Sequence, residues 1–166
     1  LERHGDRAHG HAGIEPRRVD LVHDRSEDHV RPSPLTGLEV SRLCLGAMTF
    51  TNTMDEPDAI ALVRRCHDSG LNFIDTADSY NDSEEFLGRA LQGIRDDVII
   101  STKVYASAYN GRKRGANGSR HHLINALHDS LRKLQTDYVD IYMCHHPDPL
   151  TSFEETYSTL DSFVKQ

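Results

Sequence analysis

This sequence has no long apolar run, no cysteine framework and no surplus of basic charge. No stretch approaches the ~20 consecutive apolar residues that a bilayer-spanning helix requires, and the first residues carry no signal-like apolar segment. A membrane partner is therefore not expected. Cys44, Cys66 and Cys144 lack metal or disulfide spacing, which suits a reducing, cytoplasmic setting. With 19 Lys and Arg against 26 Asp and Glu, the net charge is −7, so nucleic acid is not expected as a general partner. The basic cluster at residues 112–114 reads as a solvated loop.

Apolar residues are also scarce, at 37% of the chain, where roughly 45–50% is usual once Gly is counted. Most of the deficit lies in residues 1–34, which hold scattered apolar positions without period among many Arg, Asp, Glu and His residues. Such a segment cannot bury enough surface to offset its ordering entropy and is expected to be a disordered or loosely attached tail. Its histidines, His4, His9 and His11 among them, lack the carboxylate or thiol company that a metal site needs.

From residue 35 the pattern changes to alternating strands and helices. Residues 42–47 give a first short strand. Ala59, Leu62, Val63 and Cys66 form one helical face, opened near Pro57 and closed by Gly70. Residues 71–74 read as a strand, and Phe86, Leu87, Ala90 and Leu91 as a helix capped by Asp82 or Ser83. Residues 97–104 make the clearest strand, a β-branched run. A Gly-, Asn- and Arg-containing loop follows over residues 105–118. Ser119 then caps a helix with the stripe Leu123, Ile124, Leu127, Leu131 and Leu134. Residues 138–144 form a fourth strand. Ser152 and Glu155 suggest a capping box for a last helix, with Phe153, Tyr157, Leu160 and Val164 as its inner stripe.

Repeated βα units imply an α/β fold with a parallel sheet. An open doubly wound nucleotide binder should carry a Gly-rich turn after its first strand, and the residues at 46–49 (GAMT) do not form one. Part of a (β/α)8 barrel, about four units, is the better reading. Its significance lies in where the polar residues fall. Asp75, Tyr80, Lys103 and His145 sit at or just past strand ends, where parallel α/β folds build their sites. A phenol gives up its proton more readily beside an ammonium, and a carboxylate keeps that ammonium charged. An imidazole can orient a carbonyl oxygen or relay a proton. Singly, each has a bland explanation: a solvated strand-end Lys, a rim Tyr, a turn Asp. His145, His146 and Asp148 could also form a metal-site fragment.

The stretches LTGLEVSRLCLGAMTF, GLNFIDTADSYNDSEEFLGRAL, DVIISTKV and SLRKLQTDYVDIYMCHHPDP resemble the aldo-keto reductase superfamily. The resemblance covers residues 35–166, as the amino-terminal half of such a barrel. It implies NADP(H)-dependent reduction of aldehydes or ketones, with a small carbonyl compound as substrate and NADPH as cofactor. It also implies a catalytic tetrad: Asp75 as partner of the lysine, Tyr80 as general acid, Lys103 tuning the phenol, and His145 orienting substrate. Gly46, Ala47 and Met48 match the turn near the nicotinamide, with Asp75 beside it; no metal is implied.

The sequence departs from the family pattern at particular points. Asn81 and Asp82 run straight into Ser83 where relatives carry a longer Gly-containing loop, so the pocket wall should differ. His146 stands where relatives often have Arg, so local anion contacts should differ too. The pyrophosphate and adenosine contacts, which come from strands five to eight in the family, are expected to lie outside these residues. Residues 1–34 match nothing in the family and are expected to derive from an upstream reading frame. Open sheet edges would allow self-association. The alternative to catalysis is a noncatalytic binding or regulatory module on the same scaffold.

Overall fold

The structure is a computed structural model and describes residues 30–32, 36–104 and 117–165. Strand β1 (Val30–Pro32) pairs antiparallel with β2 (Glu39–Ser41), Val30 opposite Ser41. Order thus begins inside the stretch expected to be a structureless tail. The correction has a simple cause: a two-stranded ladder is held by backbone groups and needs no apolar period. Asn72 anchors this ribbon to the rest of the fold. Its side chain accepts from Ser41 N (2.7 Å) and donates to the Glu39 carbonyl (2.9 Å).

Four strands, β3 (Leu45–Gly46), β4 (Phe73–Asp75), β5 (Ile99–Val104) and β6 (Ile141–Cys144), form one parallel sheet in chain order. The register sets Gly46 beside Asp75, Asp75 beside Ser101, and Lys103 beside Met143. Side chains alternate across a strand, so Ile74, Ile100, Thr102 and Val104 point one way and are buried. Asp75, Ser101 and Lys103 point the other way and meet one another. That alternation is what gives the sheet a greasy helix-facing side and a polar side.

Helix α1 (Phe50–Thr53) is a single turn after β3, too short to show a periodic stripe in the sequence. Helix α2 (Glu56–Asp68) starts where the Asp55 side chain accepts from Asp58 N, with Pro57 in the first turn. It ends in a Schellman arrangement: Gly70 N bonds His67 O (2.8 Å), Leu71 N bonds Cys66 O (3.0 Å), and Gly70 takes a φ of +85°. Helix α3 (Ser83–Ala90) has Asp82 at its N-cap position, yet no side-chain cap bond forms there. The Ser83 hydroxyl, the other expected cap, instead donates to the Ala47 carbonyl (3.0 Å) and pairs with Thr76 Oγ1 (2.9 Å). Helices α3 and α4 (Arg120–Leu134) approach closely at Gly88, where an added Cβ would lie 2.4 Å from the Lys133 carbonyl oxygen. The Ser119 hydroxyl caps α4 through His122 N. Most of the loop expected over residues 105–118 lies outside the described residues, as do the clusters at 112–114 and at His4, His9 and His11.

Helix α5 (Phe153–Val164) corrects its sequence reading in two ways. Ser152 does cap it, accepting from Glu155 N. The Glu155 carboxylate, however, accepts from Arg120 N (2.9 Å), so it caps α4 rather than closing a capping box. Three of the four residues expected to face inward are exposed, Phe153 at 71%, Tyr157 at 64% and Val164 at 87% of full accessibility, and Leu160 is half-buried. The packed face is Thr156, Thr159 and Phe163: Thr156 Oγ1 donates to the Gly118 carbonyl (3.0 Å), and Phe163 meets the Tyr142 ring edge-on. Two apolar stripes compete on this helix, and close approach at Gly118 selects the one with small threonines.

The main core lies between the sheet and α1–α3, built on Phe50, Val63, Ile74, Leu87, Leu91, Val98 and Ile100, with Leu134 of α4 joining it. A smaller cluster of Val104, Leu123 and Ala126 sits under α4 and α5. Among the described residues, no helix is long and apolar enough to cross a membrane.

Candidate active site

Each candidate residue is placed by the strand or turn that carries it. Asp75 ends β4 and Lys103 lies two residues beyond Ser101, its β5 partner, so the ammonium reaches back to the carboxylate. Lys103 Nζ sits 2.6 Å from Asp75 Oδ2 and 2.9 Å from the Thr76 carbonyl oxygen. Ser101 Oγ donates to the other Asp75 oxygen, Oδ1, at 3.1 Å. The turn after β4 is built by Tyr80 N bonding Ala77 O and Ser83 N bonding Tyr80 O, both 3.1 Å. Asn81 accepts the left-handed conformation (φ +50°) that this tight connection requires, a conformation that Asn tolerates better than most residues. Its side chain donates to Thr51 Oγ1 (3.2 Å), tying the short loop to α1. The Tyr80 ring lies over the site, its centroid 5.2 Å from Lys103 Nζ.

His145 follows β6 and is held by its amide, which bonds the Val104 carbonyl (2.9 Å). Its ring meets Tyr80 edge-on (centroids 5.5 Å apart, planes at 83°) and stacks on His146 (4.8 Å, 2°). Ser79 Oγ lies 3.3 Å from His145 Nδ1. Desolvation, the neighbouring His146 and the Lys103 ammonium hold the His145 pKa below its ordinary value, against the pull of Asp78 and Asp75. The ring is thus neutral at pH 7. All four residues named from the sequence therefore meet on one side of one sheet end.

The turn after β3 divides by role. Gly46 is exposed, and a Cβ built on it would meet nothing within 4 Å, so a flat ring could lie against this backbone. Met48 is also exposed. Ala47 is fully buried; its N–H bonds Asp75 O (2.8 Å), and its carbonyl accepts from Phe50 N and the Ser83 hydroxyl. Ala47 therefore holds the turn in place, and its side chain does not reach the open face. Asp148 also has a local occupation. It accepts from Gly118 N (2.9 Å) and Thr151 Oγ1 (2.6 Å), and these bonds, the Thr151 one foremost, hold its carboxyl below the ordinary range. That role, joining the start of α4 to the start of α5, accounts for Asp148 beside the two histidines. Among the described residues, no group of three or more His, Cys, Asp or Glu is placed to hold a metal ion.

Other residues reach the site without having been singled out in the sequence. Ser101 could have been: two residues before Lys103 on a strand, it must share its face. The Thr76 carbonyl and Ser79 carry no such signal. Cys44, exposed at the start of β3, feels both Asp75 and Lys103; burial and then Asp75 push its thiol pKa up, so it stays protonated.

A sequence model of the aldo/keto reductase family matches residues 42–166. The chain belongs to this family. Among its relatives is a probable voltage-gated potassium channel subunit beta from Oryza sativa subsp. japonica, 39% identical over 132 residues, or 76% of this chain and 40% of that protein. Another is aryl-alcohol dehydrogenase (NADP+) from Phanerodontia chrysosporium, 36% identical over 162 residues, or 83% of this chain and 41% of that protein. The holo form of aldo-keto reductase AKR11C1 from Bacillus halodurans superposes with a TM-score of 0.72 at 34% identity, over 82% of this chain and 46% of that one. This aldo/keto reductase chain thus spans about two fifths of the length of the sequence relatives, at 40% and 41%. Its parallel βα units correspond to part of a (β/α)8 barrel.

Proposed function

We propose that this chain carries the catalytic rim of an NADPH-dependent carbonyl reductase acting on small aldehydes or ketones. The observation that carries the reading is the Lys103 ammonium, held by Asp75 Oδ2 at 2.6 Å and the Thr76 carbonyl at 2.9 Å, lying 5.2 Å from the Tyr80 ring centroid. The Tyr80 hydroxyl gives its proton to the carbonyl oxygen as negative charge gathers there. The fixed positive charge of Lys103 stabilises the negative charge left on the phenol oxygen. Asp75, steadied by Ser101, keeps the ammonium from drifting toward solvent. His145 orients the carbonyl oxygen.

A nicotinamide fits the open backbone at Gly46, with Met48 and Asp75 beside it. When bound, it supplies the hydride. The choice of NADPH is supported by the NADP+ named for the Phanerodontia chrysosporium relative, and a cytoplasmic setting by the free thiols of Cys44, Cys66 and Cys144.

The test is NADPH oxidation with a nitrobenzaldehyde, comparing the native chain with Tyr80→Phe. Loss of the phenolic proton should lower kcat/KM by about 10²- to 10⁴-fold. A rate that survives the substitution would remove Tyr80 as the acid.

A second reading is a noncatalytic regulatory module, favoured by the relative named as a potassium channel subunit. Folded, monodisperse protein that binds NADPH without oxidising it would support this reading. Among the described residues, β3 pairs only with β4 and β6 only with β5. Self-association through those edges, aided by the exposed Phe153, Tyr157 and Val164 of α5, is part of either reading.

A further inference from the structure

On the helix-facing side of the sheet, behind the strand that delivers Lys103, buried polar groups from four elements meet. Thr102 and Tyr142 are register partners on β5 and β6, so their side chains share that face. Thr102 Oγ1 donates to Glu84 Oε1 of α3 at 2.7 Å. Ser130 of α4 is the fourth member. Burial raises the Glu84 pKa, and Thr102, Ser130 and Lys133 draw it down, so the Ser130 hydroxyl lies against the same carboxyl. Burial also pushes the Tyr142 phenol far up, and the charges of Asp78 and Glu84 add to that effect. Glu84 and Ser130 are only 0% and 1% exposed, so bulk solvent does not reach them.

Three atoms of this group are enclosed and, among the described residues, have no hydrogen-bond partner: Glu84 Oε2, Ser130 Oγ and Tyr142 OH. The Lys133 ammonium is 3.9 Å from Glu84 Oε2, beyond direct bonding distance. A buried polar atom left unmet is costly, and native folds rarely leave several together. A direct bond between two of these atoms would leave the third unmet. One water molecule can meet all three, because it offers two protons and two lone pairs. We propose that Glu84 Oε2, Ser130 Oγ and Tyr142 OH bind a single buried water molecule. The water accepts from the Tyr142 hydroxyl and shares hydrogen bonds with the carboxyl and the serine. It joins α3, α4 and β6 where the main core around Leu87 and Ile100 gives way to the smaller cluster of Val104 and Leu123. The site stands apart from the Asp75–Lys103 rim and does not depend on the carbonyl-reductase reading.

The deciding experiment is a crystal structure of the native chain at a resolution that shows ordered water. A density peak should lie about 2.6–3.2 Å from Glu84 Oε2, Ser130 Oγ and Tyr142 OH together. The absence of a peak, or a peak that reaches fewer than all three atoms, overturns the proposal. Urea unfolding of Ser130→Ala, Tyr142→Phe and the double variant supplies a check in solution. Each single substitution should lower the folded-to-unfolded ratio by about 5- to 30-fold, as expected for buried groups that lose a shared partner. The double variant should depart from the product of the two by about twofold or more, since both hydroxyls bond the same water. Strict agreement with that product counts against a shared water. Coupling without the density peak would mean that the two hydroxyls bond each other directly, and the water site would be wrong.

Discussion

The same sheet carries an ion pair at each end, and the two are built differently. At the carboxyl ends of the strands, Lys103 pairs with Asp75, side chains 15% and 31% exposed. At the amino ends, Arg95 pairs with Asp140, both 14% exposed. The lower pair is saturated. Arg95 donates to the Val98 and Tyr138 carbonyls, to Thr136 Oγ1 and to Asp140 Oδ2, and its guanidinium lies 3.9 Å from the Tyr138 ring centroid. The same Asp140 oxygen accepts from Ile100 N (2.8 Å), which locks the start of β5 to the start of β6. A planar guanidinium fork suits such multiple bonding, whereas a lysine presents a compact charge on a flexible stem. The upper pair uses that flexibility, holding one positive charge 5.2 Å from the Tyr80 ring centroid. Under the proposed function, the upper end serves chemistry and the lower end stability.

Substitutions at each end should separate these roles. Lys103→Met removes the charge beside Tyr80 and should lower kcat/KM for carbonyl reduction by about 10²- to 10⁴-fold, with little change in Tm. A large loss of Tm would mean that the upper pair is structural after all. Asp140→Ala should do the reverse. It leaves the Arg95 charge without its partner and Ile100 N without its acceptor, at a cost of about 3–5 kcal/mol. For a chain of this size that corresponds to a Tm lower by roughly 10 °C, measurable by thermal circular dichroism. An unaltered Tm would make the lower pair a surface contact and erase the contrast between the two ends.

The contrast also marks what could be read in advance. The upper residues were legible because each follows an apolar run, and parallel sheets put strand ends together. Pro57, Gly70, Ser119 and Ser152 were legible because each serves a backbone need within a turn of its own position. Arg95 and Asp140 were not, because their meeting depends on how two separate turns pack, and each residue alone resembles any surface charge. The orientation of α5 failed for a related reason. Periodicity reports that a face is apolar, while the rotation of the helix is set by the partner, here Gly118 against Thr156. Strand β1 and helix α1 have too few residues to show any period.

Between the two ends, on the helix-facing side of the sheet, lies a third charge with a weaker claim on a partner. Glu84 is fully buried; its Oε1 accepts from Thr102 Oγ1 at 2.7 Å, and the Lys133 ammonium is 3.9 Å from its Oε2. Burial pushes its pKa above the ordinary carboxylate value, against the opposing pull of Thr102 and Lys133. The folded chain therefore keeps the Glu84 proton to a higher pH than the unfolded chain does. This carboxyl's contribution to stability is complete below the unfolded value, about 4.3, and is lost as pH rises through the folded one. Glu84→Gln presents a neutral side chain at every pH, and its amide oxygen can still accept from Thr102. Its Tm should match the native chain near pH 4 and exceed it by a margin that widens toward pH 8. A margin that stays constant, or reverses near pH 8, would mean that Lys133 holds the ionised carboxylate as firmly as Arg95 holds Asp140, and the buried charge would then belong with the saturated lower pair.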